Sequence, residues 1–560
     1  MVQDADLAHR TTAGAFLGTG TDPARFRDLP SSIPEVLAAR AATPDAEFVI
    51  GPDFRLTFGE ADERSARLAG QLLAAGVGKG SRVGILFPNG PAWVVTWLAS
   101  ARIGALTVPL STFSPGPELA RTIRHTDLAA LLMGSSFVDT DLSARLEEGL
   151  PGLSVSSSAL ALTGAPFLRW VNVFGEVHPV WSRGLPRPVD PEVVAAAQSE
   201  VRPSDGLIMI NTSGSTADPK TVVHTHGGLI RHAAMLVRLR QIGPQDRLYC
   251  PMPFFWVGGL TTLLLSALTC GASVLVQERF EPAQALDLME RERATLVQVW
   301  PNASRAMAEH PTFDQRDLTS IRGGTLPEAL PEALRPPSPD LYPGLFGMTE
   351  TGGPHSNPDD PYTPLPEHLR GTLGRAIPGV ERMIIDPATG DRVSTGVVGQ
   401  LFVRGPFVME QLYKVERWKT FTPDGWYPTG DQCSLDDEGH LRFHGRATSM
   451  IKTGGSNVAP TEVEDVLLGA DGVEMVYVFG VTSGLRGEDV VAVVVRSEGN
   501  VLTVEELVAY ARQHLSTFKI PRRWAMLDPS TVPVLPTGKV DQQALRSLFE
   551  EQPGSHSGLT

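Results

Sequence analysis

Apolar residues in the stretch LTFGEADERSARLAGQLLAAG (residues 56–76) return at helical spacing, at Leu68 and Leu72, with charged residues between them. Thr57 and Glu60 precede the run at capping-box spacing and Gly76 follows it, so the pattern predicts a helix with both ends specified. RVGILF (82–87) is a short apolar run that predicts a buried strand; PAWVVTWLASARIG predicts a second helix and ALTVPL a second strand. Strand, helix and strand in that order predict a parallel sheet with crossover helices. The same alternation returns at GASVLVQ and, after the helical PAQALDLMERER, at ATLVQVW. The most apolar stretch, Leu260 to Val276, is broken by Ser266, Thr269, Gly271 and Ser273. It reads as a buried helix running into a strand rather than a membrane span.

After Thr363 the texture changes. Turn signals crowd together (PATGD, STGVVGQ, TPDGW, DDEGH) between short apolar alternations, which predicts a β-rich subdomain over about 364–447. Beyond a hinge placed close to Thr448 comes a compact set over 448–549. It holds a helix from Thr461, the strands VEMVYVFGV and VVAVVVR, and a helix opening with Thr503-x-x-Glu506. The tail, 550–560, has little apolar content and is expected to be disordered. The expected class is therefore α/β. A large N-terminal domain (1–447) combines βαβ-type sheets layered with helices and the β-rich subdomain, and a small, mobile α+β C-terminal domain follows.

Composition narrows the function. At 560 residues, with 42% hydrophobic and 20% charged residues, the chain is a multi-unit globular protein with a sizeable core. A net charge of −15 argues against a nucleic-acid partner, which needs a basic surface. Cys250, Cys270 and Cys433 form no CxxC pair, and the polar start MVQDADLAHR has no apolar signal core; both point to a reducing, cytoplasmic compartment.

The chemistry concentrates at NTSGSTADPKT (211–221). Thr212, Ser213, Ser215 and Thr216 supply hydroxyls, Gly214 a permissive backbone and Lys220 a positive charge. With GLIMI before it and a helix-like run from Gly228 after it, the stretch reads as a strand-to-helix loop that could donate to phosphate oxygens. A P-loop is disfavoured, because Pro219 stands where a glycine N–H is required. The residues alone leave an ordinary polar turn and another kind of phosphate-binding loop both open.

Other segments bear on that choice. RGGTLP (322–327), LFGMTE (345–350), GWYPTGD (425–431), GRATSMIKTGGSNVAPTEVE (445–464) and LPTGKVD (535–541) follow in order along the chain. Together with TSGSTADPKT they resemble the motifs of the adenylate-forming superfamily of acyl-CoA synthetases, luciferases and nonribosomal-peptide adenylation domains, most of all the acyl-CoA ligases. The resemblance implies ATP-dependent activation of a carboxylic acid as acyl-AMP with loss of pyrophosphate, then transfer to a thiol.

It also implies roles. Thr212, Ser213, Gly214, Ser215, Thr216 and Lys220 would hold the β- and γ-phosphates. Thr349 would bind the α-phosphate, and Glu350 would carry Mg²⁺. Gly323, Gly324, Thr325, Phe346, Gly347 and Met348 would line the adenine side, Asp431 would accept from the ribose hydroxyls, and Arg446 would contact ribose or phosphate. Lys539 would serve adenylate formation, and Lys452, on another face of the small domain, would replace it after a rotation about Thr448. Gly454 and Gly455 would then line the coenzyme A tunnel. Within PMPFFWVGGL, Trp256, Val257, Gly258 and Gly259 would wall the acyl pocket. The absence of a ring at Gly258 favours a bulky apolar acid, fatty or alicyclic, and the absence of an Asp there disfavours an α-amino acid.

Departures from the family pattern are Ala217 and Thr221 for loop glycines, Thr448 for the usual Asp or Lys, and Phe346 for tyrosine. The histidines of HTH (224–226) and HLRFH (440–444) lack metal-ligand context and are assigned no metal. Free coenzyme A is the favoured acceptor, because no carrier domain follows Lys539; loading of a separate carrier protein is the alternative. The rival from another class is a non-catalytic nucleotide- or acyl-sensing homologue. Oligomeric state is left open, a homodimer included.

Overall fold

The computed structural model describes residues 15–17, 29–175, 178–212, 220–337, 341–446, 450–483, 487–497, 500–533 and 540–549. The expectations for 213–219, Thr448, Lys539 and 550–560 lie outside the described residues.

The predicted alternation is present. Strands Arg82–Leu86, Leu106–Pro109, Ala130–Gly134 and Trp170–Phe174 pair in parallel, with Gly206–Thr212 joining Leu106–Pro109 in the same sense. Lys220–Thr225 and Gln411–Leu412 extend this sheet antiparallel to seven strands. A second sheet of six strands is built on Arg247–Tyr249, with Ser273–Leu275, Leu296–Val297, Gly323–Gly324 and Glu47–Ile50 in parallel register and Arg55–Thr57 on its edge.

Helices Phe58–Ala74 and Pro91–Arg102 contribute to one apolar cluster that reaches both sheets, through Ile85 and Ile208 on one side and Val49 and Val274 on the other. Trp93 and Trp97 sit at its centre, wholly buried. The Thr57–Glu60 capping box forms with both hydrogen bonds in place. The Leu260–Val276 stretch is the buried helix predicted, opening with a π-helical turn at Leu260–Leu265 before the strand Ser273–Leu275.

The β-rich part is a five-stranded antiparallel sheet of Glu381–Ile385, Gly399–Arg404, Tyr427–Leu435 and Leu441–Arg446, with Ala15–Leu17 on its edge. That edge strand comes from the start of the chain, so the subdomain is not confined to 364–447. In the smaller C-terminal domain, Val473–Ser483 and Gly487–Arg496 form a long hairpin. Ile451–Thr453 pairs with the second arm, as does Arg523–Leu527, and helices Pro460–Leu468 and Val504–His514 cover the apolar face.

One expectation is corrected. The hydroxyl-rich loop is not a strand-to-helix connection: Asn211 pairs with Thr221 and Thr212 with Lys220, so its two ends are held side by side in an antiparallel hairpin. Thr221, Val222, Val223 and Thr225 are β-branched and favour the second strand. The helix starts only after it, at His226, with the Thr225 hydroxyl accepting from the Gly228 N–H.

Candidate active site at the domain junction

Lys220 opens the second strand of that hairpin. Its Nζ pairs with the Glu350 carboxylate and donates to the Tyr427 hydroxyl at 2.8 Å, while Tyr427 donates to Glu350 Oε1 at 3.1 Å. Glu350 lies in a one-turn 3₁₀ segment, Thr349–Thr351, between short strands Phe346–Met348 and Gly353–Asn357. These strands approach so closely that a side chain at Gly347 would strike the Gly353 carbonyl.

Two buried imidazoles support the turn. His224 Nε2 lies 2.7 Å from the Thr349 carbonyl; His232 faces the Gly352 and Pro354 carbonyls at 3.1 and 2.7 Å. Burial lowers both rings to a pKa of about 4, so they are neutral at pH 7.

Glu350 is a buried hard-oxygen donor, and among the described residues no cluster of three or more His, Cys, Asp or Glu side chains could hold a metal. A single carboxylate that leaves the remaining positions to water and phosphate suits Mg²⁺, which is held that way in nucleotide sites.

Tyr427, Thr429 and Asp431 alternate on the buried face of strand Tyr427–Leu435, which puts Asp431 roughly 13 Å along the strand from Tyr427. Asp431 pairs across the ladder with Arg446. Phe346 packs against Phe443 and His355, ring centroids 5.2 and 5.3 Å apart.

On the adenine side, the predicted glycines have reasons inside the protein. A side chain at Gly323 would run into the Tyr362 ring, and one at Gly324 into the Val297 carbonyl. The Thr325 hydroxyl is likewise taken up by the Val299 backbone, accepting at 2.6 Å and donating at 2.8 Å.

Next to this network a cavity of about 290 Å³ runs between the two domains. Thr212 and Gly347–Thr349 form one end, Trp256, Val257 and Gly258 a wall, and Gly455 and Phe518 come from the C-terminal domain. Gly259 is not on the wall; it is buried against the Pro253 carbonyl. Trp256 is no plain core residue, since its ring faces Trp300 at 5.7 Å and Phe518 of the other domain at 6.2 Å. A side chain at Gly258 would meet only Met252 Sδ.

Lys452 stands with its Nζ 4.2 Å from the Phe443 ring centroid and 5.8 Å from that of Phe346. Gly454 and Gly455 form the turn that follows it, with Gly455 against the Trp300 ring.

The structure thus joins Lys220 to Glu350, sets Thr349 beside them on the cavity, and brings Lys452 to Phe346 and Phe443, with Asp431 farther along its strand. Reading the sequence missed Tyr427 and Trp300. Tyr427 had a signal, the two-residue alternation of YPTGD, whereas Trp300 lies in an unremarkable helix-start context and meets the site only through tertiary packing.

Residues 37–413 match the AMP-binding enzyme family and residues 462–539 the AMP-binding enzyme C-terminal domain. The chain is similar to the indoleacetate–CoA ligase of Aromatoleum aromaticum, 30% identical over 505 residues that cover 89% of this chain and 94% of the relative. It is also similar to the feruloyl-CoA synthase of an Amycolatopsis species, 29% identical over 90% of this chain and 96% of the relative. Among solved structures, the amide bond synthetase McbA from Marinactinospora thermotolerans superposes with a TM-score of 0.77 at 28% identity, over 92% of this chain and 99% of that one. Among the described residues no helix is long and apolar enough to cross a membrane.

Proposed function

The chain belongs to the AMP-binding enzyme family, and from that premise we propose that it is an ATP-dependent acid–thiol ligase acting on an apolar acid and coenzyme A. One observation carries the reading. A single cavity is bordered by Thr212 and Thr349, two of the residues assigned to the phosphates, by the acyl wall and by the Gly455 turn of the C-terminal domain. An acid carbon, an α-phosphate and an incoming thiol can therefore meet in one space.

In the first step a carboxylate oxygen of the acid attacks the α-phosphorus of ATP, and the bond to pyrophosphate breaks. Lys220 and Thr212 hold the outer phosphates, Thr349 the α-phosphate and Asp431 the ribose. Glu350 would hold Mg²⁺, which when bound neutralises phosphate charge. Separating Lys220 from Glu350 frees each for its own partner. In the second step the thiol sulfur attacks the acyl carbonyl carbon and AMP departs with the bridging oxygen; Lys452 faces that charge.

An apolar acid is favoured because Met252, Phe255, Trp256 and Val257 line the cavity. The free thiols of Cys250, Cys270 and Cys433 support a reducing, cytoplasmic setting.

A second acceptor class is favoured by the likeness to the amide bond synthetase: an amine in place of the thiol, with the first step unchanged. Loading of a carrier protein would also leave that step unchanged. A screen of pyrophosphate release over aromatic, alicyclic and fatty acids tests the activation step. Product analysis with coenzyme A, a phosphopantetheinylated carrier or simple amines identifies the acceptor. No release with any acid would point to a non-catalytic binding protein instead.

A further inference from the structure

The contact that joins the two domains beside the cavity is built on charge. Glu118 lies in the first turn of helix Gly116–His125 of the large domain. Its Oε1 accepts from Lys519 Nζ at 2.8 Å, and its Oε2 accepts from the Ser516 N–H at 3.1 Å and the Ser516 hydroxyl at 2.8 Å. Both donor residues belong to the small domain. Lys519 also donates to Glu462 of its own domain at 2.8 Å.

The three charged side chains keep only 14%, 7% and 11% of their surface exposed, in the order Glu118, Lys519 and Glu462. Burial alone would raise the Glu118 carboxyl. The Lys519 charge and the hydrogen bonds from Lys519 and Ser516 outweigh it and hold the group below the ordinary carboxylate range.

Two features make this a clasp rather than generic packing. First, it comes apart without stranding a charge. When the small domain turns away, Lys519 keeps Glu462 and leaves as a neutral pair, while Glu118 returns to water at the surface. Breaking a buried pair is costly chiefly when one member stays buried alone. Second, it is linked to Lys452 through the sheet of the small domain. Ser516 and Lys519 precede strand Arg523–Leu527, which pairs with Gly487–Arg496, which pairs in turn with Ile451–Thr453. Closing the clasp therefore fixes where Lys452 stands.

We infer that Glu118 is a positioning residue for the thiol-transfer step, docking the small domain in the pose that turns Lys452 to the cleft. The inference rests on the two-step reading above and adds to it a residue of the large domain that selects between the steps.

Glu118→Gln tests it, since the amide keeps the shape and loses the charge. Thioester formation from supplied acyl-adenylate and coenzyme A should fall on the order of tenfold or more, while acyl-adenylate formation from ATP and acid falls no more than about twofold. Ser516→Ala, which removes one donor, should shift the same ratio in the same direction by less. It carries the test if Glu118→Gln proves unstable in a melting experiment. Equal losses in both half-reactions, or an unchanged thioester rate, would overturn the assignment. Fluorescence energy transfer between labels on the two domains gives a readout independent of catalysis. Glu118→Gln should move the distribution away from the docked distance, and an unmoved distribution overturns the clasp. Should the unmodified protein activate no acid at all, the two-step reading fails, and the energy-transfer result still decides the docking.

Discussion

Lys220 and Glu350 form an ion pair, and the proposed reaction gives each a different partner on the incoming substrate. MgATP brings a cation for the glutamate and anions for the lysine, so the exchange leaves no charge uncompensated. A ligand of one sign alone would strand one member of the pair. Gly258 governs another part of the site. Only the flexible Met252 stands near the position of its missing side chain, so the wall has room there. Gly258→Phe should fill that room and lower kcat/KM for bulky acids by about tenfold or more while sparing short ones, measured across an acid series; a uniform loss would remove Gly258 from the pocket.

The buried histidines set a pH dependence at the same scale. His226 and His232 are lowered from the ordinary 6.5 to about 4, and His355 to about 3, chiefly by burial. Their folded forms are neutral and the unfolded chain binds the extra protons first. Stability from these groups is therefore complete above pH 6.5 and declines as pH falls toward 4. Each ring moves the unfolding equilibrium by up to about tenfold per pH unit in that window. Melting temperatures recorded from pH 7.5 to 4.5 should fall, and a flat profile would show that these rings are not excluded from water.

At the scale of the element, the Thr57–Glu60 capping box satisfies two backbone donors at the start of helix Phe58–Ala74. Thr57→Ala should cost about 1 kcal/mol, read as a lower denaturant midpoint with the pyrophosphate-release rate unchanged. That box was legible in the sequence because capping is local, as were the crossover pattern of the large domain and the hairpin of the small one. The hairpin that carries the hydroxyl-rich loop was not read. Its second strand is only six residues long and adjoins a helix without a turn signal, so helical periodicity masked it. Gly323 and Gly324 were expected on the adenine side, and the structure adds a reason inside the protein, since Tyr362 and the Val297 carbonyl occupy the room next to them. Such neighbours come from distant parts of the chain and leave no trace in local spacing. Glu118 was invisible for the same reason, since its partners lie about 400 residues away.

At the scale of the molecule, the proposed mechanism would divide one reaction between two lysines and two arrangements of the domains. Lys539→Ala should abolish acyl-adenylate formation while sparing thioester formation from supplied acyl-adenylate, and Lys452→Ala should show the reverse bias; separate assays of the half-reactions distinguish them. Equal loss of both half-reactions in each variant would mean that the lysines act together. The strand leading out of the large domain, Leu441–Arg446, stays laced to its neighbour up to the Arg446–Asp431 rung. In the proposed mechanism a small domain turning just beyond this strand would pull first on that rung, whose carboxylate we assign to the sugar, so that the grip on AMP and the angle of the lobe would be set at one step of one ladder.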